Sequence, residues 1–339
     1  MALEESVLND QVIARILLND YGLHLLDVHV ISFGTANCFK ITCSEGSYFL
    51  KEYQSWFTLE DIEREAHIVE FLTVKKYPTA LFLKTLEGKF GIWQSGHVIG
   101  VQEFIEGDTY TNKLPHTMLI ESAAYLGKLH NILKEYPMKK SMDEQWVKGF
   151  SANEASARCD ELLDILEDNK SDKYYERIRN DLIYKKELNM NMKSNFCGIT
   201  YSSSHGDYTA CQLIGEHGKI KAVIDFASAV SLPVVWEIMR SYIQSSEACK
   251  EGSPLDIDDF LLFVREYSKY SLLSKRDLEA MPYVYLFQLG RSVYGFKEYL
   301  QTKTENKEKL LVFAFWRTDI CRQMSERVEE ISHALVELI

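Results

Sequence analysis

The period of the apolar positions changes along the chain, and that change divides it. Between Asn9 and Leu18, Val12, Ile13, Ile16 and Leu17 recur at helical spacing, which predicts a short amphipathic helix ending near Gly22. The pattern then turns to strands. Val28 to Phe33, Cys38 to Cys43 and Tyr48 to Tyr53 read as three of them, separated by Gly34-Thr35-Ala36-Asn37 and Ser44-Glu45-Gly46-Ser47. A helix opening near Thr58 places Ile62, Ala66, Val69 and Leu72 or Thr73 on its inward face with Glu65 among them, while Glu60 and Glu63 point elsewhere. Ala80 to Leu83 and Phe90 to Trp93 flank a Glu87-Gly88-Lys89 turn, and Val98 to Ile105 is the last strand of this region. Beyond Gly107 the period is mostly helical. Leu119, Ala123, Leu126, Leu129 and Leu133 form one stripe, residues 154–193 read as two polar helices, and 234–246, 256–270, 274–300 and 305–338 predict four more. The expectation is an α+β chain of two lobes, a small antiparallel-sheet lobe over 1–102 and a larger helical lobe over 103–339.

One β-rich interruption of the helical part carries the chemistry. His205-Gly206-Asp207 is followed five residues after the aspartate by Gln212 and eighteen after it by Asp225, in Val223-Ile224-Asp225-Phe226. Cys211 to Ile214 and Ile220 to Ile224 read as two short strands joined by residues 215–219, a hairpin that brings Gln212 and Asp225 to the same end. Phosphoryl transfer needs a carboxylate beside the attacking hydroxyl and further oxygen ligands to hold magnesium against the nucleotide phosphates. Asp207, Gln212 and Asp225 supply that set in the order of the protein-kinase template H-R-D-x-x-x-x-N and D-F-G. Glycine stands for the arginine, glutamine for the asparagine, and alanine follows Asp225-Phe226.

Upstream, the period of two on the third strand puts Phe49, Lys51 and Tyr53 on one face. A lysine between aromatics needs an anionic partner, and a glutamate turned toward a core needs a cationic one. Lys51 with Glu65 is the expected pair, as in the lysine and glutamate that serve the nucleotide phosphates of kinases.

The His-Gly-Asp and Ile-Asp-Phe forms, with Leu126-Gly127-Lys128-Leu129-His130 and Gln102-Glu103-Phe104-Ile105-Glu106-Gly107, resemble the aminoglycoside phosphotransferase, choline kinase and type II homoserine kinase superfamily. That resemblance implies a bilobal protein-kinase-like fold and transfer of the γ-phosphoryl group of ATP or GTP to a hydroxyl of a small acceptor. It makes Asp207 the catalytic carboxylate, Asp225 and Gln212 the Mg2+ ligands, and His205 the residue that fixes the loop. The nucleotide would lie along Gly34, Asn37, Lys51 and Glu65, with the backbone at Glu103 and Ile105 at the adenine edge. Glu237 would stand in for an aspartate that braces the catalytic loop, and His130 would be structural. The single glycine of the 34–37 turn is equally well explained as a plain hairpin. A kinase-fold protein of the spore-coat kind, binding without turnover, is the alternative.

Composition narrows the picture further. A formal net charge of -12 disfavours a nucleic-acid partner, which would require a basic face. Seven cysteines without a C-x-x-C pair argue against a zinc site and a disulfide framework. No run approaches the roughly eighteen apolar residues of a membrane span, and Glu4, Glu5 and Asp10 are unlike a secretory signal, so a cytoplasmic protein is expected. The acceptor is less legible. Tyr283, Tyr285, Phe287, Tyr294, Phe315 and Trp316 read either as core or as the walls of a substrate site, and Asp256, Asp258 and Asp259 as a helix start or as an attractor of cations.

Overall fold

A computed structural model describes residues 4–31, 36–136, 138, 151–192, 196–302 and 306–338. The chain forms two compact units. One comprises residues 2–109 together with 212–229, and the other, apart from Met1, comprises 110–211 and 230–339. The sequence pattern places a single break at 102/103; in the structure the chain passes between the units again, because the 212–229 hairpin pairs with Asp108–Thr109.

The first unit is built on a five-stranded antiparallel sheet. Its strands are β1 (Leu25–Ile31), β2 (Asn37–Cys43), β3 (Gly46–Glu52), β4 (Gly91–Gln94) and β5 (His97–Glu103), in the order β1-β2-β3-β5-β4. Helix α1 (Asp10–Ile16), N-capped by Asn9, continues as one π-helical turn over Leu17–Tyr21 and stops at Gly22. Its Ile13, Ile16 and Leu17 pack on Phe39, Ile41, Leu50, Ile99 and Val101 of the sheet. Helix α2 (Leu59–Val74) opens with a capping box in which Thr58 and Asp61 satisfy each other's backbone N–H groups. It buries Ile62, Glu65, Ala66, Ile68, Val69 and Leu72. The predicted inward stripe is present, and the glutamate lies in it. A smaller sheet joins β6 (Asp108–Thr109), β8 (Leu213–Glu216) and β9 (Lys219–Val223), the last two linked by His217-Gly218, both at positive φ as a two-residue hairpin turn requires.

Among the described residues the second unit is helical apart from its loops and one antiparallel pair, β7 (Tyr201–Ser204) with β10 (Val230–Pro233). Its helices are α3 (His116–Leu133), α4 (Ala152–Glu167), α5 (Tyr175–Asn191), α6 (Val234–Ser245), the single turn α7 (Glu247–Lys250), α8 (Ile257–Ser268), α9 (Lys275–Arg291), α10 (Phe296–Gln301) and α11 (Lys307–Val336). The expected continuous helix over 274–300 is broken at 292–295. Gly295 has φ +93°, and a Cβ there would fall 2.4 Å from the Leu310 carbonyl oxygen, so the chain turns where only glycine fits. Of the aromatic residues left open by the sequence, Tyr285 and Phe287 are core, Tyr294 is 37% exposed, and Trp316 is half-buried. No helix among the described residues is long and apolar enough to cross a membrane.

Candidate active site

In the sheet unit the predicted residues gather around Asp225. Backbone pairing places it: Ile224 N–H donates to the Gln212 carbonyl at 2.9 Å, and Val223 N–H to the Pro78 carbonyl at 3.0 Å. Gln212 and Asp225 therefore do end at the same end of the hairpin. Asp225 itself sits at φ 63°, ψ 68°, a left-handed conformation uncommon for a residue with a Cβ and often found at functional sites.

Lys51, on β3, donates from Nζ to Asp225 Oδ1 at 2.7 Å and lies 4.6 Å from the centre of the Tyr53 ring. The expected pairing of Lys51 with Glu65 persists as a charge interaction, while the Lys51 hydrogen bond goes to Asp225. Glu65 instead accepts from Tyr53 Oη at 2.9 Å, and Lys51 acts on it through its charge alone. Burial pushes the Glu65 carboxyl up to about 7, with the Lys51 charge opposing and the Asp225 charge adding to the shift. For Lys51 burial works against the ammonium, but Asp225 and Glu65 together raise its pKa. The physical reason is competition for one ammonium: burial disfavours the charged form of Glu65, and the more exposed carboxylate, Asp225, takes the hydrogen bond.

The other predicted nucleotide residues are less concentrated. Gly34 lies outside the described residues. Asn37 begins β2 and donates from Nδ2 to the Glu4 carbonyl at 3.1 Å. The Glu103 backbone N–H donates to the Leu81 carbonyl at 2.8 Å, and its carboxylate accepts from Leu81 N–H at 3.2 Å. Ile105 is half-buried in the irregular stretch between β5 and β6.

In the helical unit Asp207 follows β7 through His205-Gly206. Gly206 has φ +83°, so the tight turn between histidine and aspartate uses a conformation that a side chain disfavours. Glu237, fully buried in the first turn of α6, holds this loop: Oε2 accepts from His205 N–H at 3.1 Å and Oε1 from Gly206 N–H at 2.5 Å. His130 Nε2 donates to the same Oε2 at 2.8 Å, and His130 Nδ1 is 2.8 Å from the Tyr267 hydroxyl. Both nitrogens of this buried histidine thus have partners in the brace. Burial opposes the Glu237 carboxylate, yet the His130 hydrogen bond, the His130 and His205 charges and the Gly206 N–H hold its pKa below the ordinary value. Asp207 N–H donates to His205 Nδ1 at 3.3 Å, closing the turn from the other side.

Two site residues escape a reading of the sequence. Arg240 donates from Nη2 to Asp207 Oδ1, and Tyr53 is the hydroxyl donor to Glu65. The spacing held a signal for the first: Arg240 is three residues beyond Glu237 on α6, hence on an overlapping face. The Asp207 charge raises the Arg240 pKa against the effect of burial.

The comparisons agree with this architecture. The model of the phosphotransferase enzyme family (APH) matches residues 27–273, well over half of the chain, and the chain belongs to that family. No curated protein sequence matches. Among solved structures, the microcompartment-associated aminopropanol kinase is similar at a TM-score of 0.64 and 11% identity, covering 96% of this chain and 99% of its own. Amicoumacin kinase hAmiN, in complex with AMP-PNP, Ca2+ and Ami, gives 0.58 and 14% over 93% and 94%. Choline kinase from Cryptosporidium parvum Iowa II gives 0.58 and 13% over 95% and 97%. The fold is the protein-kinase-like one of these small-molecule kinases.

Proposed function

We propose that the protein is a small-molecule kinase that transfers the γ-phosphoryl group of ATP to a hydroxyl of a small acceptor. The observation that carries this reading is the Lys51–Asp225 pair with Glu65 buried beside it, one ammonium between two carboxyl groups. Asp225 and the Gln212 amide offer hard oxygen donors, the chemistry magnesium prefers, and few protein ligands suffice because phosphate oxygens and water complete its shell. Bound there, the metal would neutralise charge on the nucleotide phosphates. With Asp225 holding the metal, Lys51 would be free to pair with Glu65 and the phosphates. Asp207, its Oδ1 fixed by Arg240, orients the acceptor hydroxyl and takes its proton. A loose transition state asks mainly for positioning, so the rigid Glu237 brace under the loop matters more than an unusual carboxyl. A cytoplasmic location fits the ATP-using reading, and the seven free cysteines are in keeping with it. GTP in place of ATP is compatible with backbone recognition at Glu103 and Ile105.

Gln212 favours a second reading, a kinase-fold protein that binds nucleotide without turnover, because its side chain is one methylene longer than the asparagine of the kinase template. Calorimetric titration with AMP-PNP, with and without magnesium, tests the first step. Magnesium-dependent binding that Asp225→Ala abolishes and Asp207→Ala keeps within a few-fold supports a nucleotide site. Slow ATP consumption abolished by Asp207→Ala then supports the kinase, whereas tight binding without any consumption supports the second reading. Absence of binding by either ATP or GTP analogue overturns both.

A further inference from the structure

Around Asp207 the helical unit carries more positive than negative charge. Arg240 gives Nη2 to Asp207, while its Nη1 is buried without a hydrogen-bond partner. Arg317, on α11 and 8% exposed, donates Nη1 to Ser292 Oγ at 3.1 Å and Nη2 to Gln288 Oε1 at 3.2 Å, both neutral acceptors, and its Nε is also buried without a partner. Lys250, at the end of α7, lies 4.0 Å from the centre of the Trp316 ring. Lys250 and Arg317 both sit over the Phe313 ring, at 5.5 and 5.7 Å. Phe313 stacks on Trp316 at 5.5 Å and meets Tyr294 edge-on at 6.3 Å. Tyr294 feels the charge of Glu298 and then those of Arg317 and Asp207, and Lys250 feels those of Arg240 and Arg317, so the cations lie in one cluster with the aromatic platform near Asp207.

Neighbouring carboxylates do not balance it. Glu247 and Glu251 pair with Lys113, Asp319 pairs with Arg177 and Arg322, and Glu298 accepts the Gly295 N–H. Among the described residues, no carboxylate lies within ion-pair distance of Lys250 or Arg317. A buried cation without a counter-ion is costly, and a bound anion relieves that cost. Burial, then the Arg240 charge, pushes Lys250 down to about 8, and burial likewise lowers the Arg317 pKa.

We infer that this cluster is an acceptor subsite for an anionic group, a carboxylate or phosphate carried by the hydroxylated acceptor, with the Phe313–Trp316 platform against its carbon skeleton. The inference rests on the reading of Asp207 as the carboxylate that meets the acceptor. Arg317 and Lys250 supply the charge-assisted hydrogen bonds, and the unpaired Arg240 Nη1 can reach for the same anion.

The test is calorimetric titration of inorganic phosphate, malonate and choline into the full chain, with and without saturating AMP-PNP and magnesium. Saturable binding of phosphate or malonate, and not of choline, is expected with the nucleotide site filled. Stronger binding of phosphate assigns a phosphorylated acceptor, and of malonate a carboxylate. Arg317→Met and the more exposed Lys250→Met should each weaken that binding about ten-fold or more, the loss of one charge-assisted bond, with AMP-PNP affinity unchanged as the control for folding. Choline binding in place of either anion, no saturable anion binding by the wild type, or wild-type anion affinity retained in both variants overturns the inference. A wild type that fails to bind AMP-PNP removes the kinase reading instead, and the nucleotide-free titrations still test the cluster.

Discussion

Glu65 and Glu237 are both buried on a helix, one in each unit, and they ionise in opposite directions. Burial raises Glu65 to about 7, whereas Glu237 is lowered despite the same desolvation. The difference is in the donors. Glu237 receives two backbone N–H groups of the His205-Gly206-Asp207 loop and a histidine, while Glu65 receives the Tyr53 hydroxyl and the Phe226 N–H but not the nearby ammonium, which gives its hydrogen bond to Asp225. Burial alone therefore does not fix the charge of a carboxyl; the supply of donors does. In the helical unit the result is a permanent brace. In the sheet unit it is a glutamate whose ionisation awaits a change of partner at Lys51.

Removing each carboxyl is the strongest way to break that contrast. Glu237→Ala leaves His130 and the N–H groups of His205 and Gly206 buried without their acceptor, and unfolding stability should fall by about 4 kcal/mol, read by chemical denaturation. A loss below about 1 kcal/mol would mean that water replaces the carboxylate and that the brace is weak. Because the folded Glu237 pKa is depressed, its contribution is fully present above the ordinary value of 4.5 and is lost as pH falls through the folded value.

Glu65 carries the opposite sign. Its folded pKa is raised from 4.5 to about 7, so between these values the native state holds the extra proton and stability declines as pH rises. Relative to Glu65→Gln, the wild type should lose about 3 kcal/mol at most across that window. Denaturation midpoints at several pH values check this, and parallel curves for the two proteins would show that Glu65 is ionised throughout.

The two cations sharpen the comparison on the functional side. On the proposed reading of Asp207 as the general base, Arg240→Met frees its carboxylate to rotate and should lower ATP consumption about a hundred-fold, with AMP-PNP affinity retained. Lys51→Met should act on the other quantity, weakening AMP-PNP binding about ten-fold by calorimetry. If both variants moved the same parameter, the assignment of separate tasks to the two units would fail.

Much of this was legible in the residues themselves. Period-two and helical patterns located the sheet strands and the inward stripe of α2, since an apolar face must be buried whatever it packs against. The hairpin that brings Gln212 and Asp225 to the same end was legible because its pairing is local, although its turn is two residues, His217-Gly218, where the pattern suggests a five-residue loop over 215–219. The break before α10 was not visible in the helical period. It depends on the close approach of Leu310, a residue fifteen positions beyond Gly295.

What the sequence by itself determined, then, is which residue types stand at which register of each strand, helix and turn. Partnership was decided by tertiary structure. Lys51 had two carboxylates to choose between, and the choice depends on distances across 174 residues of chain that no local period encodes. The pairing of Arg240 with Asp207, the brace from His130 through Glu237 to the loop, and the uncompensated cations at Lys250 and Arg317 arise in the same way. An electrostatic interaction is set by separation and burial in space, and both exist only once the helices have packed.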